Sequence, residues 1–134
     1  MSHVHVAVWL DHNEAKIFHV TSKSFEEATV HSPKEHTQLH RKSGSDDGHR
    51  AVEDERYYHD VAKALGDATE ILVLGPATAK LQLIKHIHRH DAGLVDRIVG
   101  VETVDHPTDG QLLAHCRSYF KAVDQMKGNQ FRKG

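Results

Sequence analysis

The sequence predicts a mixed α/β fold, because short strand patterns come first and strands and helices alternate afterwards. Residues 3–31 contain three short apolar runs, and the first of them alternates between two faces. An apolar run at 71–74 then stops at Gly75-Pro76 and is followed at once by a helical pattern. A strand that leads through a tight turn into a helix is the junction where α/β folds usually place their binding edge.

The first three strands are predicted to form a meander. In residues 3–10, one face of the strand carries Val4, Val6, Val8 and Leu10. The polar turn at 11–14 leads into a returning strand at 15–20, and a third short strand covers 26–31.

Residues 32–50 show no periodic pattern and are predicted to be a long loop. They contain Pro33, Gly44 and Gly48 and the basic step His40-Arg41-Lys42. Loops of this length inside a compact domain are uncommon and are usually functional or disordered.

The remaining elements alternate between helix and strand. A helix is predicted at 51–65, a strand at 71–74, a helix at 77–90, a strand at 98–104 and a last helix from Thr108 or Asp109, either of which can cap it. The expected inward residues are Tyr58, Val61, Ala62 and Leu65 on the first helix. On the second they are Leu81, Ile84 and Ile87, with Leu83 flanking. The basic residues from 127 onward suggest a frayed end.

Right-handed crossovers place the fourth and fifth strands beside the first strand. The predicted fold is therefore a mixed five-stranded sheet in the order 3-2-1-4-5 with three helices, which is the ribonuclease-H-like arrangement. We expect residues 1–124 to form a single domain and residues 125–134 to form a basic flexible tail.

Composition limits the class of protein. A chain of 134 residues suits one domain, and its net charge of −2 is not that of a strong nonspecific nucleic-acid binder. No apolar run is long enough to span a bilayer and no secretion signal is recognisable at the start of the sequence, so we expect no membrane partner. The single cysteine, Cys116, excludes an internal disulfide and fits a cytoplasmic location.

Histidine is unusually frequent, with 14 residues. A solvated surface, a surface whose charge changes with pH, and metal binding all remain open as interpretations. His86 and His90 are four residues apart on a predicted helix, and His36 and His40 have the same spacing in the loop. Because no cysteine or HExxH pattern completes either set, the sequence favours exposed histidines without a metal, and we expect no cofactor.

Acidic residues near strand and helix ends allow a second function, that of a metal-dependent nuclease or hydrolase. A two-metal site needs converging carboxylates around ions about 4 Å apart. The candidates are Asp11, Glu53, Asp54, Glu55 and Asp105. Asp11 lies in a turn and the fourth strand has no acid within its apolar run, so solvated acids are the competing interpretation.

Two other features are predicted to be structural. Cys116 lies on the apolar stripe of the last helix and is expected to be a buried thiol rather than a nucleophile. The turn at Gly75-Pro76 lacks a phosphate-loop pattern, and Pro76 has no N–H to donate.

The loop at 32–50 carries the best candidate for a binding site. The residues expected to contact RNA are His40, Arg41, Lys42, His49 and Arg50. Lys and Arg supply the attraction to phosphate that does not depend on sequence, and the histidines add charge at lower pH.

The sequence resembles the middle domain of the archaeal and eukaryotic peptide-chain release factor and Pelota family, over residues 3–123. The resemblance is carried by VAVWLDHNEAKIFHV, by AVEDERYYHDVAKAL, and by EILVLGPATAKLQLIKHI followed by RIVGVETV. Bacterial relatives of this group have been described as translational machinery proteins. The resemblance implies a ribonuclease-H-like domain and association with the ribosome through RNA.

True release factors carry a Gly-Gly-Gln tripeptide in the loop before the long helix. Here Gly44 and Gly48 are separated and no Gln follows either of them, so hydrolysis of peptidyl-tRNA is not expected. The expected function is a non-catalytic ribosome- or RNA-associated protein of the rescue, stress or hibernation type. A protein-interaction module, with the third strand pairing between copies in a homo-oligomer, is a further alternative.

Overall fold

The computed structural model describes residues 4–21, 23–32 and 47–132, with side chains described at 4–21, 23–32 and 55–126. The strands are β1 (His5–Leu10), β2 (Glu14–Val20), β3 (Phe25–His31), β4 (Glu70–Gly75) and β5 (Ile98–Thr103). The helices are α1 (Asp47–Leu65), α2 (Ala79–His90), the short α3 (Ala92–Val95) and α4 (Asp109–Arg132).

The five strands form one mixed sheet in the order β3-β2-β1-β4-β5, which confirms the predicted order. β1 is antiparallel to β2 and parallel to β4, and His5 lies opposite Glu70 in the parallel pair. β3 and β5 are the outer strands of this sheet. Pairing of β3 between copies of the chain stays a prediction.

The two faces of the sheet are buried under different helices. Alternate residues of β1 point to opposite sides, because successive side chains of a strand alternate between faces. Val6, Val8 and Leu10 join a core with residues of α1 and α2, whereas Ala7 and Trp9 join a second core with residues of α4. Both cores consist mainly of buried apolar residues, so both helix layers are held to the sheet by burial.

The junction at Gly75 requires glycine for a steric reason. A Cβ atom at this position would come within 2.3 Å of the carbonyl oxygen of Leu10, far inside van der Waals contact. Pro76 follows and α2 begins three residues later, at Ala79. The turn is therefore a point of close backbone approach between β1 and β4, as expected for a structural turn.

Two predicted ends of α1 can be checked. Gly66 follows the helix with a φ of +56°, and this left-handed conformation explains why glycine ends it. The start of α1 was predicted too late, because the helix begins at Asp47 and not at residue 51. The predicted loop at 32–50 is therefore too long. An acidic residue in the first turn suits the helix dipole, and Gly48, which suggested a loop, is accommodated despite a cost of about 1 kcal/mol.

The inward face of α2 was predicted correctly only in part. Leu81 is 48% exposed, whereas Leu83 and Ile87 are fully buried and Ile84 is only partly buried. Apolar residues on several sides of this helix leave its orientation undetermined by periodicity. Contacts with α1, which no local pattern records, decide it.

The structure contains one helix more than the three predicted. The short α3 is an additional, one-turn helix before β5. α4 starts as predicted: Thr108 Oγ1 accepts the N–H of Gln111, and Gln111 Oε1 accepts the N–H of Thr108, which is a reciprocal cap. The backbone stays helical to Arg132, and the single domain at 1–124 and the flexible tail at 125–134 stay predictions.

Among the described residues, no helix combines the length and the apolar character that crossing a bilayer requires.

Candidate functional site

The basic residues predicted to contact RNA are only partly covered by the structure. His40, Arg41 and Lys42 lie outside the described residues. His49 and Arg50 belong to the backbone of α1, but their side chains are not described either. The structure therefore describes the surface that follows this segment along α1, and not the segment itself.

A polar cleft of about 370 Å³ opens between the β1–β2 turn, α1 and α2. Its lining residues are His12, Glu55, Tyr58, Gln82, Lys85, His86 and Arg89. Lys85 makes no ion pair with any other described residue, and Arg89 is 65% exposed although its Nη1 lies 3.4 Å from Glu55 Oε2. Phosphate oxygens commonly accept hydrogen bonds from Lys and Arg, so two such cations at an open cleft can bind phosphate groups.

Glu55 joins two histidines of α2 beside this cleft. His86 Nδ1 lies 2.8 Å from Glu55 Oε1, and His90 Nε2 lies 3.7 Å from the same oxygen. The rings of His86 and His90 have centroids 4.5 Å apart. The prediction that these histidines are exposed is wrong for His86, whose side chain is only 7% exposed, because α1 covers it and Glu55 satisfies its ring nitrogen.

A second histidine–carboxylate cluster lies on the other face of the sheet. His5 Nε2 lies 3.0 Å from Glu70 Oε1 and 3.1 Å from Asp124 Oδ2. Glu70 is only 1% exposed, and the His5 ring stacks on Phe120 with centroids 4.6 Å apart. Sequence reasoning missed this cluster, since its members come from β1, β4 and α4 and share no local pattern.

The acids proposed for a nuclease site do not converge within the described part of the chain. Asp11 Oδ1 accepts the N–H groups of Asn13 and Glu14 at 2.8 and 2.9 Å, so this carboxylate closes the β1–β2 turn. Asp11 Oδ2 is 3.7 Å from His106 Nε2, and His106 Nδ1 is 2.8 Å from Asp105 Oδ1. The hydrogen bond to Asp105, opposed by some desolvation, raises the pKa of His106 above 6.5.

Groups of three possible metal ligands occur twice among the described side chains. They are Glu55 with His86 and His90, and His5 with Glu70 and Asp124. Neither group contains Asp11 or Asp105, and the side chains of Glu53 and Asp54 are not described. The described residues thus offer histidine–carboxylate sets rather than the carboxylate set that a two-metal nuclease needs.

Cys116 is fully buried, as predicted. Burial, with a smaller contribution from the charge of Glu102, raises the pKa of its thiol to about 12. A thiol with such a pKa supplies almost no thiolate at neutral pH, so Cys116 is a core residue and not a nucleophile.

The sequence matches no protein-family model and no curated protein. Solved structures do resemble it. The Pelota protein of Thermoplasma acidophilum aligns with a TM-score of 0.56 at 22% identity, over 81% of this chain and 30% of that one. The archaeal translation termination factor aRF1 aligns with a TM-score of 0.51 at 12% identity, over 96% of this chain and 40% of that one.

The Dom34 protein of Saccharomyces cerevisiae gives a similar result, with a TM-score of 0.52 at 15% identity, over 96% of this chain and 40% of that one. Identities this low establish the fold alone. The chain spans less than half the length of each of these three proteins. The predicted resemblance to a domain of the Pelota and release-factor proteins is confirmed at the level of fold.

Proposed function

We propose that this chain is a non-catalytic ribosome- or RNA-associated protein of the translation machinery, of the rescue, stress or hibernation type. The observation that supports the proposal most is the fold shared with aRF1 and with Dom34. Dom34 is described as a translation termination-like factor involved in RNA quality control pathways and interacting with Hbs1. Because the chain spans less than half of these proteins, only a binding role is proposed for it.

The proposed RNA contacts start in the basic segment at 40–42, before α1, and continue into the first turn of α1. Arg41, Lys42 and Arg50 would neutralise phosphates, and His40 and His49 would add positive charge at lower pH. The absence of adjacent glycines and of a following Gln in this segment supports a role without hydrolysis of peptidyl-tRNA.

The cleft beside α1 extends this proposed surface. From Asp47 to Glu55 the helix rises about 12 Å, so the cleft and the end of the basic segment are within the reach of one short stretch of RNA backbone. Lys85 and Arg89 contribute two cations there, and Gln82 contributes an amide. The phosphates would therefore follow α1 from the basic segment to α2.

Cosedimentation with purified ribosomes tests this proposal directly. We expect the protein to pellet with ribosomes at about 50 mM salt and to be released steeply towards about 200 mM, as counterion release predicts. The double variant Arg41→Ala/Lys42→Ala should weaken binding and lower the slope of log K against log salt by about 2, since each lost phosphate contact removes about one unit.

The matched control is Lys63→Ala/Lys121→Ala, which removes the same charge from exposed positions on α1 and α4 outside the cleft. Equal weakening by the two double variants would contradict a specific basic surface. Protein that stays in the supernatant at every salt concentration would contradict ribosome binding altogether. RNA cleavage that depends on added Mg²⁺ or Mn²⁺ and is lost in Asp11→Asn would instead favour the nuclease.

A further inference from the structure

The pair of helices α1 and α2 carries a set of side chains that a metal ion of the zinc class prefers. Glu55 lies on α1, and His86 and His90 lie one turn apart on the facing side of α2. Two imidazoles and one carboxylate are a common set of three protein ligands for zinc, whereas Mg²⁺ and Ca²⁺ prefer oxygen alone. We propose that Glu55, His86 and His90 bind one divalent transition-metal ion that links α1 to α2. The proposal does not rest on RNA binding, although Glu55 and His86 also line the polar cleft.

The distances fit this proposal with small side-chain movements. With metal–ligand bonds of about 2.0–2.1 Å, the donor atoms of a tetrahedral site lie about 3.4 Å apart. Glu55 Oε1 is 2.8 Å from His86 Nδ1 and 3.7 Å from His90 Nε2, so the two separations bracket that value. All three donor atoms lie within 4.8 Å of one another. The ion therefore needs rotation of side chains and no movement of a helix.

The surroundings of the three residues allow an ion to enter and to complete its coordination. His86 lies between the cleft of about 370 Å³ and a neighbouring one of about 350 Å³, which is lined in part by His59, His90 and Asp91. His59 is one turn from Glu55 on α1, and its ring centroid is 6.2 Å from that of His86. A water molecule or His59 can thus occupy the fourth position, facing the second cleft.

A competing interpretation is a simple hydrogen bond from His86 to Glu55 without any ion. That bond explains why His86 can be buried, but it does not account for His90 Nε2, which lies 3.7 Å from the same carboxylate oxygen. Arg89 is a second competitor, since its Nη1 lies 3.4 Å from Glu55 Oε2. It contacts the oxygen that the proposed ion leaves free, and an ion pair this exposed contributes little energy to hold Glu55 in place.

Metal titration of the purified, untagged full chain tests the proposal after treatment with a chelator. Zn²⁺ is titrated by calorimetry, and Co²⁺ is titrated by visible absorption, which reports tetrahedral coordination. We expect one tight equivalent in the natural sequence. In Glu55→Gln and in His90→Ala the affinity should fall at least about tenfold, because ligands matter at least as much as the residues that orient them.

The matched control is His88→Ala, because His88 is exposed and lies on the same turn of α2 outside the cluster. Its affinity should stay within about twofold of that of the natural sequence, which separates the site from weak binding by a histidine-rich chain. Glu55 and His90 are half exposed, so both test variants should fold, and circular dichroism checks this. Zn²⁺ should also raise the Tm of the natural sequence but not that of His90→Ala.

Two results would overturn the proposal. One is the lack of any saturable equivalent in the natural sequence. The other is an unchanged affinity in both Glu55→Gln and His90→Ala, which would move the bound ion to other histidines.

Discussion

Two histidine–carboxylate clusters lie on opposite faces of the same sheet and differ in how they are enclosed. His5 is held between Glu70 and Asp124 by strands and by α4, and its carboxylate partner Glu70 is 1% exposed. His86 is equally close to Glu55, but that carboxylate is 51% exposed and lines the polar cleft. The first cluster is anchored by strand pairing and a buried Glu70, although His5 and Asp124 line a cleft of about 620 Å³. The second is held by side chains alone, and its carboxylate is exposed.

The difference shows that similar chemistry can have a structural or a ligand-binding use, depending on what positions it. His5 and Glu70 are register partners on neighbouring parallel strands, so their distance is tied to the sheet itself. Glu55 and His86 lie on two helices that meet only through side chains. The first pair should therefore affect stability most, and the second should respond most to added ions.

The largest expected effect is that of Glu70→Ala on the cluster of His5, Glu70 and Asp124. Glu70 is 1% exposed and its Oε1 lies 3.0 Å from His5 Nε2. Removing this carboxylate leaves a cavity and deprives the partly buried imidazole of a contact, so the free energy of unfolding should fall by about 3 kcal/mol. Urea denaturation followed by circular dichroism measures it.

Glu102→Ala is the control for this substitution. Glu102 also pairs with a histidine, His115, but the two side chains are 34% and 46% exposed. The expected loss is below about 1 kcal/mol. Similar losses for the two variants would mean that burial does not distinguish the clusters.

A smaller effect is expected in the cluster of Glu55, His86 and His90 when no metal is added. His86→Ala removes a buried ring and its hydrogen bond, and should cost about 2 kcal/mol. His90→Ala should change stability by about 0.5 kcal/mol at most, because His90 is half exposed. Thermal unfolding in the presence of a chelator measures both. A loss in His90→Ala as large as that in His86→Ala would contradict the small contribution expected of the half-exposed His90.

The smallest effect concerns His106, an exposed histidine beside Asp105 and Asp11. Its folded-state pKa is raised, so its stabilising contribution is present below pH 6.5 and is lost as the pH rises through the raised value. NMR titration of Asp105→Asn should return the pKa of His106 towards 6.5, because Asp105 is the main cause of the shift. Asp11→Asn should produce a smaller change. The reverse ranking would contradict this assignment.

The sheet could be predicted from the sequence, whereas neither histidine–carboxylate cluster could. Alternation in β1 and the apolar run of β4 each record a local burial pattern, and the handedness of crossovers then fixes the strand order. No local sequence pattern indicates that His86 is buried. Its burial depends on Glu55, 31 residues earlier on another helix.

The same limit explains the errors in α2. Leu81 is exposed while Lys80 is buried, with its Nζ donating to the carbonyl oxygen of Ala77. A long lysine can bury its stem and still satisfy its charged end, so polarity alone misassigns the face. The spacing of His86 and His90 was a usable signal for a shared ligand. The proposed site is defined only once Glu55 of α1 is placed beside them.

At Gly75, a single methyl group would alter a surface that it never touches. The Cβ of an alanine there would meet the Leu10 carbonyl at 2.3 Å, and β1 would have to move away from β4 at its last residue. Asp11 and His12 follow Leu10 directly, and the Tyr57 hydroxyl donates to the carbonyl oxygen of Asp11. The shift would thus reach the mouth of the polar cleft and α1, so the shape of the cleft is encoded partly in a residue outside it.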